Sequence, residues 1–450
     1  MSSSTNKILL DFKKTFGVIT MIKITKPDFS YLKEKCKTLG RADLLSALPV
    51  FLKWLVLATL IGVIVGSASA LFGHTLTFIN SLRAQHPYLI FGLPVGGLFI
   101  VFLYRVSKNA DDRGTNTVLY SVRSEEGIPF KMAPLIFVST AITHLFGGSA
   151  GREGAAVQLG GSIANKIGKL LHLGENSRRI IVMCGISAGF SALFGTPLAA
   201  AFFSLEVVSV GIMHYSALVP CVTAALTGYY MAGLFQLPPE VFPVTDVPTI
   251  APLPFLQILA LSACAGVISI LFYTLLHKTE HIYEKHLKNP YLRITIAGCL
   301  IVALSLLLGN QYLGSGIGII EHIFHEGDTQ WYSFLLKMLF TALTLGAGFK
   351  GGEIVPSLCI GAAFGCTVAP LLGLPVEIAA ACGMTGVFCG VTNCPITSLL
   401  IAFELFGFQG MPWYLTTVAV SYLLSGYGGL YRKQKIVCSK TQLSFTDTHR

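Results

Sequence analysis

Between residues 351 and 431 the chain carries three carboxylates, Glu353, Glu377 and Glu404, and no Lys, Arg, His or Asp. A water-facing surface cannot be assembled from so long a stretch without charge. A bilayer can accept it, because a spanning helix needs ~20 predominantly apolar residues to cross ~30 Å of hydrocarbon. Further uncharged runs cover residues 54–72, 88–104, 132–150, 180–205, 207–239, 253–276 and 294–320. Charged residues make up 12% of the chain, about half the ~25% of soluble domains. These features exclude an ordinary soluble enzyme and predict an all-α polytopic membrane protein. The first run starts too late and is too long for a cleavable signal peptide, and no low-complexity segment interrupts the rest.

The net charge of +10 sits largely at the ends, with ten Lys/Arg against four Asp/Glu in residues 1–53 and five against one in 432–450. The positive-inside rule therefore places both termini in the cytoplasm, with an even number of crossings between them. The expected organisation is a basic cytoplasmic segment at 1–49, membrane halves at 50–240 and 241–431, and a basic cytoplasmic tail at 432–450. The Lys-rich stretch at 32–41 is either an amphipathic surface helix or a solvated cap that fixes topology. Single cysteines without Cys-x-x-Cys spacing argue against a disulfide framework or a zinc site. His277, His281 and His286 in HKTEHIYEKH have helical spacing, but the glutamate is misplaced for a zinc motif and the segment reads as a connector. His144, alone in an apolar run, reads as a satisfied buried imidazole. No metal, cofactor or nucleic acid is expected.

The chain repeats itself. Gly114 in GTNTVL and Glu153 in GREG recur as Gly314 in GSGIGI and Glu353 in GGEI at an offset of 200. GISAGFSALFGTPLAAAFFSLE, at 185–206, recurs as GMTGVFCGVTNCPITSLLIAFE, at 383–404, at an offset of 198. Pro197 matches Pro395, and Glu206 matches Glu404. Glycine-rich stops interrupt the apolar runs at corresponding places, and such breaks are tolerated at membrane depth only when buried in protein or lining a polar cavity. An inverted pair of halves would bring two broken helices to the midplane with their N-termini facing. Each N-terminus offers unpaired N–H groups and roughly half a positive charge, which together make an anion site without a lysine or arginine in it.

A carboxylate at such a place is a functional hypothesis by default. Glu153, between Arg152 and Gly154, can occupy the anion's position and block the path; on taking up a proton it swings away and admits an anion. It is thus expected to serve as gate and proton acceptor, against the alternative of a buried capping carboxylate. Glu353 is either a second functional carboxylate or a support for the facing helix start. The pairing of Glu206 with Glu404 suggests a structural role, bonding backbone N–H groups of the opposite half.

At these residues the chain resembles the CLC family of chloride channels and anion/proton exchangers. GREG is similar to the family's GREGP, SALFGTPLAAAFFSLE to AAFNAPLAGxLFxxE, GVTNCPITSLLIAFELFG to GVTRAPLTAIVIVFELTG, and GGEIVP to GGxFxP; GLY ending at Tyr431 resembles the segment carrying the pore tyrosine. The resemblance implies an inverted-repeat transporter fold, a homodimer with one pore per subunit, and residence in the cell (inner) membrane among its lipids. It also implies Glu153 as external gate, the N–H groups of Ile354 and Val355 as anion ligands, and Tyr431 lining a central site, with Gly151, Arg152 and Gly154 around the gate. Departures narrow the match. GTNTV replaces the pore motif GSGIP and puts Thr115 or Asn116 near the central site; Ala155 replaces a proline; Val207 stands where many chloride exchangers carry an internal proton-relay glutamate. No cytoplasmic nucleotide-binding domain is expected after Tyr431. The Asn-containing motif and the GGE of Glu353 look most like the fluoride/proton exchanger branch, although Val355 stands where that branch is expected to have threonine. The implied function is exchange of a halide, fluoride in preference to chloride, for protons. A passive chloride channel is the alternative, and an intramembrane enzyme has no paired nucleophile and base to support it.

Overall fold

The computed structural model describes residues 29–109, 114–124, 127–442 and 444–448, with backbone alone at 29–46 and 446–448. The first 28 residues of the basic segment therefore lie outside the described residues, and the Lys-rich stretch at 32–41 is helical backbone. The chain divides into a unit Met1–Lys53 and a unit Trp54–Arg450. Everything below concerns the second.

Sixteen α-helices are described. In chain order they are α1 Phe29–Gln85, α2 Leu93–Val106, α3 Thr115–Arg123, α4 Met132–Leu145, α5 Glu153–Leu170, α6 Glu175–Phe194, α7 Pro197–Glu206 and α8 Leu218–Leu234, then α9 Pro252–His286, α10 Pro290–Leu308, α11 Ile317–Glu326, α12 Ser333–Gly346, α13 Ile354–Leu372, α14 Val376–Thr392, α15 Pro395–Phe406 and α16 Met411–Leu424. Each of the first eight has its counterpart among the last eight. By length and composition, seven described helices could cross a membrane, and α4, α7, α12, α14 and α15 are shorter apolar helices. A small sheet accompanies them: β1 (Ser209–Val210) pairs in parallel with β2 (Lys435–Cys438), which pairs antiparallel with β3 (Phe445–Thr448). The basic tail is thus docked on the chain, which an all-α reading does not anticipate.

Glycine sets how closely the inner helices approach. A Cβ on Gly160 of α5 would run into the Gly185 carbonyl of α6, and one on Gly361 of α13 into the Gly383 carbonyl of α14. Small residues at helix contacts are how membrane bundles gain packing energy in the absence of a hydrophobic drive between helices. The two helices α6 and α14 end alike, on Gly195 (φ 75°) and Asn393 (φ 57°), the residue types that accept the left-handed conformation of a helix end.

The second pair of broken helices is closed by exchange. Glu206, ending α7, accepts from the N–H groups of Ile396 (3.1 Å) and Thr397 (2.9 Å) and from the Thr397 hydroxyl (2.6 Å) at the start of α15. Glu404 of α15 accepts from the N–H groups of Leu198 (2.8 Å) and Ala199 (2.9 Å) at the start of α7. The proline at N1 of each helix has no N–H to satisfy, so these carboxylates take the next two donors. This is the opposite-half bonding that the repeat suggests. Two elements that cap each other through matching positions are related by a two-fold axis.

Candidate functional site

Helices α5 and α13 start face to face. Gly151 and Gly352 form an antiparallel bridge just before the two helices. A Cβ on Gly352 would sit 2.6 Å from the Gly154 nitrogen, so only glycine lets the two starts approach this closely. No side chain of the cap residues Arg152 and Glu353 bonds a helix N–H. The first N–H groups of each helix, Ile354 and Val355 in α13 among them, therefore lack intrahelical acceptors, and Pro356 carries none. Where Glu206 and Glu404 close the other pair of helix starts, this pair keeps its positive end available.

Glu153 is 0% exposed. Its Oε2 accepts from the Arg152 N–H at 3.1 Å; its Oε1 lies 3.5 Å from Arg152 Nε and has no hydrogen-bond partner. The carboxylate therefore rests at the mouth of its own helix, held loosely on one side. The far end of the Arg152 guanidinium donates to Glu240 Oε1 at 2.6 Å and to the Leu193 carbonyl at 3.2 Å, while its Nε stays beside Glu153. Burial pushes the Glu240 carboxyl above the usual range, and the Arg152 guanidinium opposes the shift.

Around Gly154 the remaining groups converge. A Cβ there would meet Thr115 Oγ1 at 3.3 Å and Glu353 Oε2 at 3.4 Å, so the two helix starts, Thr115 and Glu353 meet at one glycine. The Thr115 hydroxyl donates to the Gly154 carbonyl at 3.5 Å and accepts from Gln158 Nε2 at 3.4 Å. Tyr431 is buried, its hydroxyl has no partner, and it lies within electrostatic reach of both Glu353 and Glu153. A buried hydroxyl without a partner is a donor available to an acceptor. Asn116 lines a cavity of about 910 Å³ that also reaches Thr115, Gln158 and Glu353, and its Oδ1 accepts from the Lys433 N–H at 3.1 Å. Of the two residues expected at the central site, Thr115 is the buried one.

Matches with known proteins follow this geometry. Residues 95–426 match the family model described as voltage gated chloride channel. The chain belongs to that family. A chloride/fluoride channel protein of Pseudomonas syringae pv. tomato is 37% identical over 89% of this chain and 90% of its own length. The H(+)/Cl(-) exchange transporter ClcA of Vibrio cholerae is 26% identical over 62% of this chain and 65% of its own. The crystal structure of a CLC-type fluoride/proton antiporter is similar with a TM-score of 0.83 and 35% identity, covering 85% of this chain and 98% of that one. Family membership and these neighbours agree with a multi-pass, all-α membrane fold.

Some residues around these helix starts escape the sequence. Gln158 is buried in the first turns of α5, where its neighbours are Gly, Ala, Val and Leu, and its Oε1 is unpartnered. Glu240, in a proline-rich loop, gave no sequence signal. Val207 is buried and its carbonyl accepts from Gln434 Nε2 at 3.0 Å. His144 is buried but only half satisfied: Nε2 lies 3.4 Å from the Gly151 carbonyl and Nδ1 has no partner. The histidines of HKTEHIYEKH part company, His277 facing the cavity and His281 and His286 lying exposed.

Proposed function

We propose that this chain is a secondary transporter that exchanges halide anions, fluoride in preference to chloride, for protons. The observation that carries the reading is Glu153: a buried carboxylate at one of two facing helix starts, with one oxygen lacking a hydrogen bond. Deprotonated, it competes with an anion for the same N–H groups. Protonated, it loses that attraction and leaves the position to a halide, so one residue links proton uptake to anion entry. Thr115, the N–H groups of Ile354 and Val355, and the Tyr431 hydroxyl supply neutral donors. Gly151, Arg152 and Gly154 shape the gate, and Asn116 lines the approach. A small, hard anion gains most from such concentrated donors, and protonated Glu353 adds one more. The likeness to a fluoride/proton antiporter and to a chloride/fluoride channel protein supports fluoride as a substrate.

In this reading the chain forms a homodimer with one pore per subunit and resides in the cell (inner) membrane. Residues 50–240 and 241–431 are its two halves, and the segments 1–49 and 432–450 are cytoplasmic. Its work is transport rather than catalysis, with lipid, halide and protons as partners. A passive channel is the second reading, favoured by buried, apolar Val207 where exchangers carry an acidic residue. Proteoliposomes loaded with fluoride or chloride decide between them: a halide gradient that drives protons uphill, faster for fluoride, supports exchange. Halide flux without proton movement supports the channel.

A further inference from the structure

Resting on the exchange reading above, we propose that His277, paired with Glu280, hands protons between solvent and Glu353. The cavity of about 910 Å³ is lined by Glu353, Thr115 and Asn116 and also by His277, Glu280 and Glu284. Liquid water takes ~30 Å³ per molecule, so the cavity has room for a water chain between them. Glu353 lies within electrostatic reach of His277 and Glu280.

The hydrogen bonds fix which ring nitrogen is involved. His277 Nε2 lies 2.9 Å from the Gly429 carbonyl, which can only accept, so Nε2 carries the hydrogen of the neutral ring. Nδ1 accepts from Arg432 Nε at 3.2 Å and stands 3.9 Å from Glu280 Oε2. Arg432 in turn pairs with that same oxygen at 2.8 Å. A proton from solvent adds to Nδ1, displaces the Arg432 hydrogen bond, and turns the new N–H toward Glu280. It then leaves Nδ1 for a cavity water, which passes a proton of its own to a Glu353 oxygen. One N–H bond breaks, one O–H bond forms, and the imidazole returns to its neutral form. The other charged groups facing this cavity are Arg105 from α2, Glu284 from α9, Arg293 from α10, Lys350 before α13, and Lys433 beside Arg432.

The test uses the full chain in proteoliposomes, reading proton uptake and fluoride efflux together. His277→Ala should slow fluoride-driven proton uptake by roughly tenfold or more, the low end of what a positioned acid–base group supplies. Millimolar imidazole, small enough for the cavity, should restore it. His277→Gln keeps a donor for Gly429 but cannot relay, and should stay slow. Unchanged proton uptake in His277→Ala overturns the proposal. So does full-rate His277→Gln, which would make the ring a mere tether for Gly429, and so does failure of imidazole to rescue. Native protein that moves no protons overturns this proposal and the exchange reading together, whereas native exchange with unaffected variants overturns this proposal alone.

Discussion

Gly151 and Gly352 exchange both of their backbone hydrogen bonds, N–H to carbonyl at 2.6 Å in one direction and 2.7 Å in the other. They belong to corresponding glycine-rich stops of the two repeats, and the exchange sets Glu153 and Glu353 side by side at one pair of helix starts. Any change that pushes these glycines apart separates Glu153 from Glu353.

Glu153→Gln removes the titratable group while keeping its shape. Fluoride-driven proton uptake in proteoliposomes should fall by on the order of a hundredfold, as expected for loss of a positioned proton carrier. Retained proton uptake in this variant would dismiss Glu153 as the gate.

Glu353→Gln removes the acid that touches the Gly154 site. Fluoride efflux should change by about tenfold, the worth of one charge-assisted hydrogen bond of ~1.5 kcal/mol, while chloride efflux changes less. Parallel efflux assays on an ion-selective electrode read the ratio, and an equal loss for both halides would count against a fluoride-specific role.

Glu206→Ala and Glu404→Ala each leave two N–H groups at a helix start of the opposite half without their acceptor, at a cost of ~1–3 kcal/mol for each one that is buried. Each should lower the unfolding temperature in detergent, and each should do so whether or not halide is present. A variant as stable as the native chain would contradict the reciprocal capping.

Gly361→Ala forces a methyl group against the Gly383 carbonyl and should cost ~1–3 kcal/mol. Gly233→Ala meets nothing within 4 Å, so it should be neutral or stabilise slightly through helix propensity. Thermal unfolding of the two side by side separates close packing from a general intolerance of glycine loss.

Lys440 of the tail donates to Asn393 Oδ1 at 2.6 Å, the Tyr422 carbonyl at 3.0 Å and Ser425 Oγ at 3.1 Å, and burial lowers its ammonium from 10.5 to about 8. The unfolded chain therefore binds more protons here than the folded one between those values. By linkage, stability from this group is lowest below pH 8 and rises toward pH 10.5. Unfolding temperatures across that window should rise for the native chain relative to Lys440→Gln; parallel curves would refute the buried docking of this ammonium.

The repeat was legible because its marks are rigid. Pro197 and Pro395 fix helix starts, Glu206 and Glu404 close the same helices, and a constant offset between such residues survives whatever lies between. The facing of the two helix starts was expected from the inverted repeat, whereas Thr115 or Asn116 near them was implied by the family resemblance alone. Glu240 was not legible: its partner Arg152 lies in another element, and no local pattern ties a loop carboxylate to it. The tail sheet was missed for a different reason, since strands of two to four residues are too short to show alternation. His277 looked like a connector residue because its partners, Gly429 and Arg432, come from the far end of the chain.

The crossed carboxylates have a further consequence. Neither half can finish its own helix ends: α7 borrows from the second, α15 from the first, so each alone would bury bare amide hydrogens. Two identical copies of one half could satisfy each other in the same way, which makes this handshake the one a self-pairing ancestor would have needed before duplication and fusion put both partners on a single polypeptide.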